Sequence, residues 1–249
     1  MDYETILQKL ETGEVRAAIQ DENGNWQANT EVKQAILAAF KAGENVNCTG
    51  NYNGFVDKHT ILPREFNTTH GVRMVPGGSS VRRGAYVASG VIIMPPAYIN
   101  IGAFVDEGSM VDSHALVGSC AQVGKNVHLS AAVQLGGVLE PIGLAPVVIE
   151  DDVFIGAGAI IVEGIQVKRR AVIAPGVILS KGVQVYDQVN RKVLERGAAI
   201  PEGAVVVPGT RPSTNQWSKD MGVQLNCPVI VKYRDDKSDA SLTLEEALR

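Results

Sequence analysis

From Val75 to Leu135 the chain places a branched aliphatic residue at every sixth position, eleven times without a break: Val75, Val81, Val87, Ile93, Ile99, Val105, Val111, Val117, Val123, Leu129 and Leu135. A smaller residue follows four positions after nine of them, as at Ala85, Ala97, Ala103, Ser109 and Ala121. An α-helix repeats its apolar face every three to four residues and a plain strand every two, so neither can bury this pattern. A period of six fits a parallel β-helix, in which each hexad supplies a short strand and a turn. Three hexads make one triangular coil. Each inward aliphatic then stacks on its counterpart a coil away, and the tight corners select Gly, Asn and other small residues. The expected fold class is therefore β: a left-handed parallel β-helix, a hexapeptide-repeat solenoid, with a small N-terminal α/β domain and a short C-terminal extension.

Composition agrees with an axis filled by Val, Ile and Ala: aromatic residues make up 5% of the chain, and there are 26 glycines in 249 residues. A net charge of -4 provides no basic footprint, so nucleic acid is not an expected partner. No apolar run reaches the length of a membrane span, and the acidic N-terminus lacks the apolar stretch of a signal peptide. Cys48, Cys120 and Cys227 lack metal-ligand spacing, and Cys120 falls inside the repeat, so a reduced cytoplasmic setting is expected.

Residues 1–70 carry none of the period and form the expected N-terminal domain. Asp2 to Leu10 reads as a helix, and Ala17 to Gln27 as an extended pair around an Asn-Gly turn. Glu31 to Lys41 reads as a second helix, capped by Thr30, with Val32, Ile36, Leu37 and Phe40 on its apolar face. The stretch 45–69 reads as irregular, with Tyr52, Phe55 and Phe66 packing on the first coil. The solenoid is expected over 71–212. One inserted loop lies near 136–146, where 14 positions separate Leu135 from the next beat at Ile149, and a second, charged excursion spans 186–199. Ile200 and Val206 would close the last coil, with Pro208 to Pro212 ending it. Residues 213–249 are expected to hold a strand at Val229 to Tyr233 and a short helix at Leu242 to Leu248.

Within this frame few residues can carry chemistry. Four histidines, two of them in the prism, are a thin set for the zinc site of a β-helix hydratase; no metal site is expected. No Walker or Rossmann glycine motif occurs. Asp112 follows inward Val111 and should point outward at a corner, where it is either a base or a turn-capping aspartate. Arg73 presents a fork of donors suited to a carboxylate, or else an ion pair between the N-terminal domain and the first coil. His128 lies between inward Val127 and Leu129; it is a rival base or an interface histidine.

The segments Asn100-Ile101-Gly102-Ala103, Val111-Asp112, Val117 to Ser130, Gly136-Gly137-Val138-Leu139-Glu140-Pro141, Gly71 to Pro76 and Cys227 to Lys232 together resemble the tetrahydrodipicolinate N-succinyltransferase family, and the likeness runs over nearly the whole chain. The resemblance implies a cytoplasmic homotrimer with active sites between subunits, succinyl-CoA as co-substrate with no tightly bound cofactor, and an amino dicarboxylate acceptor whose amine attacks the thioester in lysine and diaminopimelate biosynthesis. It further implies acceptor contacts at Arg73, Asp112, His114 and Ser119. CoA would run past Ala157, Ala174 and Lys181, near the basic Lys168-Arg169-Arg170 cluster. Backbone N–H groups near Gly136-Gly137 are candidates for the oxyanion.

The chain departs from the family pattern in three places. His114 stands where the family carries tryptophan. Gly158 and Ile160 stand in a segment where the family has arginine and glutamate. Ala131-Ala132 replaces a glycine-rich approach to the loop. These departures keep two alternatives open: a related CoA-dependent N-acyltransferase with another acceptor or acyl group, and a non-catalytic trimeric scaffold.

Overall fold

The computed structural model describes residues 2–234 and shows a left-handed parallel β-helix with a small N-terminal domain packed along one side. Nearly every hexad yields a two-residue strand whose second residue points inward, and strands 18 residues apart pair in parallel: Val87 on Val105 and Val105 on Val123, Ile93 on Val111, Ile99 on Val117. The inward residues Val81, Ile93, Ile99, Val105, Val111, Val117, Val123, Leu129 and Leu135 are all fully buried. Each such side chain contributes about 1.5–3 kcal/mol, so the axis is the main source of stability. Ser109 is the polar intruder; its hydroxyl donates to Gly124 O (2.8 Å) and accepts from Val127 N (2.9 Å), which removes the cost of burying it.

The strands build three flat faces. The first carries Tyr86, Phe104, Gln122, Val148 and Gln166 outward. The second carries Arg73, Ile92, Met110, His128, Phe154 and Val172. The third carries Ser80, Tyr98, Leu116, Gln134, Ile160 and Ile178. At most corners the third residue after the inward beat takes a left-handed backbone, which explains the abundance of glycine there. Non-glycine residues also adopt it, at His114 (φ 62°), Cys120, Asn126, Ala132 and Asp152.

The period starts one residue earlier than the sequence pattern places it. Met74, not Val75, pairs with Ile93, a separation of 19 residues. Gly77-Gly78 lengthens the first corner and absorbs the extra residue, and Val75 turns outward to line a cavity. The insertion after Leu135 also appears in the ladder, where Leu135 pairs with Ile161 and Val123 with Ile149. The charged excursion is a hairpin, Tyr186–Asp187 antiparallel to Lys192–Val193.

Further adjustments concern the ends. The last coil closes at Val206, which pairs with Ile173, and Pro208 to Pro212 leaves it as a strand rather than a turn. Ala204–Pro212 is one strand, antiparallel to Gln224–Tyr233, with Pro208 facing Pro228. The prolines are tolerated because this ribbon projects from the prism rather than lying inside a sheet. The expected helix at 242–248 lies outside the described residues.

In the N-terminal domain, helix α1 (Tyr3–Glu11) is capped by Asp2, and helix α2 (Thr30–Ala42) by Asn29 rather than Thr30: the Asn29 side chain accepts from Val32 N. The buried side of α2 is Val32, Lys33, Ala35, Ile36 and Ala39, with Leu37 and Phe40 only partly covered. The 45–69 stretch contains a hairpin, Asn45–Asn47 against Val56–Lys58. Phe66 packs on the solenoid core as expected, but Phe55 is 66% exposed. The domain docks on the first face. Arg16 lies over the Phe104 ring (3.7 Å to its centroid) and donates to Gln122 (2.9 Å), and Gln166 donates to Trp26 O (3.0 Å).

Candidate active site

The corners between the second and third faces stack into one edge made of residues 94–97, 112–115, 130–133, 156–159 and 174–177. Five of the eight singled-out residues meet there or beside it. Arg73 lies on the second face just before the lowest corner. It is exposed, and its Nη2 lies 4.0 Å from the Met94 sulfur, one coil up. Asp112 heads the corner after that, two rungs of the ladder above the Arg73–Met74 strand. His114 is exposed two residues further on, and Ala157 and Ala174 lie higher on the same edge.

Asp112 is half-buried, and its two oxygens have different fates. Oδ1 accepts from the N–H of the next residue, Ser113 (2.7 Å), which holds the carboxylate against its own corner without the i+2 bond of an Asx turn. Oδ2 has no hydrogen-bond partner among the described residues. An aspartate held by one oxygen and exposed by the other is positioned to bind a cation or take a proton without losing its fixed orientation. The His114 backbone is pinned at both ends, donating to Pro96 O and accepting from Gln134 Nε2 (3.1 Å), which leaves the ring at the surface of the edge.

Three residues stand apart. Ser119 and Lys181 belong to the edge between the third and first faces, across the flat third face from Asp112. Ser119 is covered by the inserted loop: Val138 N donates to Ser119 O (3.0 Å), and a Cβ at Gly118 would lie 2.3 Å from Gly137 N, so the loop returns onto a corner that only glycine permits. Lys181 N donates to Glu163 (2.8 Å), which makes Glu163 a corner cap. His128 lies on the second face, is 8% exposed and packs edge-on against Phe154 (centroids 5.1 Å apart). Met110 and Phe154 flank it on the coils below and above.

Of the oxyanion candidates, Gly136 N–H is already used by Ile161 O (2.8 Å), which leaves Gly137 N–H. The Lys168-Arg169-Arg170 cluster lies on the remaining edge, where Lys168 pairs with Glu150 (2.9 Å). Ile160 points outward on the third face between Gln134 and Ile178, so no carboxylate occupies that position. Among the described residues no group of three or more His, Cys, Asp or Glu is arranged to hold a metal, and no helix is long and apolar enough to cross a membrane.

Two cavities lie off this edge. One of about 700 Å³ is enclosed by the 48–66 segment and the first corner, including Tyr52, Arg64, Val75, Ser80, Arg82 and Tyr98. The other, about 350 Å³, lies where the N-terminal domain meets the first face, around Arg16, Trp26, Asp106 and Asp151. None of the eight candidate site residues lines either one, although Arg169 of the basic cluster lines the smaller and Tyr52, Phe55, Phe66 and Val75 line the larger. The cavity signal was invisible in the sequence because it depends on how the irregular 48–66 segment arches over the prism.

Comparison with known proteins gives a uniform result. The model for the tetrahydrodipicolinate N-succinyltransferase N-terminal region matches residues 3–42, and that for the hexapeptide repeat of succinyl-transferase matches residues 146–181. The chain is 44% identical to a 2,3,4,5-tetrahydropyridine-2,6-dicarboxylate N-succinyltransferase of Nitrosococcus oceani, over 99% of this chain and 88% of that one. It is 45% identical to the protein of the same description from Alkalilimnicola ehrlichii, with the same coverage. The corresponding Legionella pneumophila protein is 42% identical over 98% of this chain and 86% of its own. A Campylobacter jejuni crystal structure described as a tetrahydropyridine-carboxylate N-succinyltransferase aligns at 16% identity and TM-score 0.45, over 92% of this chain and 63% of that one.

Proposed function

The chain belongs to the tetrahydrodipicolinate N-succinyltransferase family, and from that membership we propose that it moves the succinyl group of succinyl-CoA onto the amine of an open-chain amino-oxopimelate, in lysine and diaminopimelate biosynthesis. It is a CoA-thioester-dependent N-acyltransferase. The observation that carries this reading is the 44–45% identity along essentially the whole chain, N-terminal domain included.

In the proposed reaction the acceptor's ammonium docks against Asp112 Oδ2 and passes a proton to it. The neutral amine attacks the thioester carbonyl, the new C–N bond forms as the C–S bond breaks, and the second amine proton leaves with the thiol group of CoA. Asp112 is the proposed base because the Ser113 N–H bond holds one oxygen still while the other faces the edge. Arg73, exposed at the foot of the same edge, binds an acceptor carboxylate. His114 replaces a flat apolar wall with a polar ring beside the acceptor, and Ser119 lines the far side of the site across the third face. Ala157 and Ala174 give CoA a smooth track, and Lys181 meets a phosphate. His128 is too enclosed by Phe154 and the second-face ladder to reach a substrate amine, so it serves packing rather than catalysis.

The active unit is proposed to be a homotrimer with its sites between subunits. Support comes from the second and third faces, which flank the edge and present Met110, Phe154 and Val172 on one side and Leu116, Ile160 and Ile178 on the other, while the 48–66 segment arches over Ser80 and Tyr98 at the start of the third face. A cytoplasmic location fits three buried, unbridged cysteines. The substitution of Ile160 where relatives were expected to carry glutamate favours, as a second reading, a changed acceptor.

Kinetics with purified protein test both readings: succinyl- and acetyl-CoA are compared over several amine acceptors, with Arg73→Ala alongside. We expect succinyl-CoA and the amino-oxopimelate to be the fastest pair. Arg73→Ala should raise the acceptor KM by roughly 10–100-fold, the loss of a charge-assisted pair, without changing the KM for succinyl-CoA. Faster turnover of another amine would favour the second reading.

A further inference from the structure

Lys33 is the most deeply buried charged side chain among the described residues, with 0% exposure, and no carboxylate of those residues lies within ion-pair distance of it. Its ammonium makes one hydrogen bond, donating to the carbonyl of Leu144 at 2.6 Å, 111 residues along the chain. Leu144 belongs to the inserted loop. Burying an ammonium without a counter-charge is costly, and burial pulls the Lys33 amine below its ordinary range. A methionine or leucine would fill the same space without that cost. Packing therefore does not explain a lysine here, whereas the bond to the loop does.

The surroundings show what the bond holds. Helix α2 lies on the edge between the third and first faces, with Ile36 against Gly102 and Cys120 in the same buried cluster. The loop leaves the solenoid on that edge, one coil above. Its first end is fixed by Val138 N on Ser119 O (3.0 Å). Its last end lies flat on the next coil, where a Cβ at Gly164 would lie 2.2 Å from Ala145 O. Between these two anchors runs the segment Leu139 to Leu144, turned by Leu144 N on Pro141 O (3.0 Å). Lys33 is the only side chain from outside the loop with a hydrogen bond to this segment among the described residues.

We propose that Lys33 is a positioning residue: it fixes the Leu139 to Leu144 segment over the Ser119 corner, on the edge that also carries Lys181, and so shapes the wall against which the phosphate end of succinyl-CoA binds. The proposal rests on the acyltransferase reading above for its functional half. Its structural half is independent of that reading. The charged acceptor contacts, Arg73 and Asp112, lie on the opposite edge, and Ser119 is the one acceptor contact on this edge.

The test uses the full-length protein and two neutral fillings, Lys33→Met and Lys33→Leu. Hydrogen exchange is read separately at loop amides 138–145 and at solenoid amides, and KM is measured for succinyl-CoA and for the acceptor. The proposal expects loop exchange to rise by roughly tenfold or more, the ratio that loss of one hydrogen bond to a charged group gives, while solenoid amides keep their protection. It also expects the KM for succinyl-CoA to rise by roughly three- to tenfold, with kcat within about twofold and the acceptor KM raised by less than the KM for succinyl-CoA. Unchanged loop exchange overturns the anchor. So does failure of both variants to fold, or an equal loss of protection in loop and solenoid, because each assigns Lys33 a fold-wide role. A freed loop with an unchanged KM for succinyl-CoA leaves the anchor standing and overturns the placement of CoA beside it.

Discussion

Asp112 divides its work between two oxygens, one locked into a corner turn and one open to the edge. Replacing it by asparagine keeps the Ser113 contact and removes the proton acceptor. Asp112→Asn should therefore lower kcat by roughly 10²–10⁴-fold with no change in subunit assembly, while His128→Ala keeps kcat near normal; steady-state rates and sedimentation measured together check this. Away from the edge, Asp187 is 1% exposed. Burial alone would raise its carboxyl, but hydrogen bonds from the Asn190 side chain and backbone and from the Tyr233 hydroxyl outweigh it, leaving it below its ordinary value. A carboxyl lowered in the folded state stabilises above its unfolded pKa and loses that contribution as the pH falls through the folded one. Asp187→Ala should thus cost about 1–3 kcal/mol at neutral pH, and the difference from the unaltered protein should shrink as the pH drops below about 4. Chemical denaturation at a series of pH values reads this directly.

The elements show why some of the design could be read from sequence and some could not. The solenoid was legible because its rule is local: one inward aliphatic per hexad, with small residues at the corners. The rule failed by one residue at Met74, where the register depends on the length of the Gly77-Gly78 corner rather than on hydrophobicity. The 45–58 hairpin offers only three residues a side, too few for alternation to register. At α2, Asn29 and Thr30 are both plausible caps, and only the backbone geometry chooses Asn29. Asn29→Ala should lower stability by about 1 kcal/mol, whereas Thr30→Ala should stay within about 0.5 kcal/mol; paired thermal melts distinguish them. Lys33 had a detectable signal that charge concealed. Positions 33, 36 and 40 fall at helical spacing, so Lys33 lies in the buried stripe, although lysine is ordinarily read as a surface residue. That Arg73 and Asp112 belong together could be suggested only by family resemblance, since nothing in their spacing shows that two coils bring them to one edge.

At the scale of the whole molecule, the N-terminal domain covers the first face and, through its 48–66 segment, the start of the third, and it leaves the coils on either side of Asp112 accessible to a neighbour. Association through those faces should give a particle of three times the 26.5 kDa chain, as measured by light scattering after size-exclusion chromatography. A monomer at micromolar concentration would remove the basis for sites between subunits. The central claim is the reaction itself. Purified protein mixed with succinyl-CoA and the amino-oxopimelate, followed by free-thiol release and by mass spectrometry of the amine, should show thiol and N-succinyl product appearing in equal amounts and only when both substrates are present. Thiol release that is independent of the acceptor, or none at all with folded protein, would contradict it.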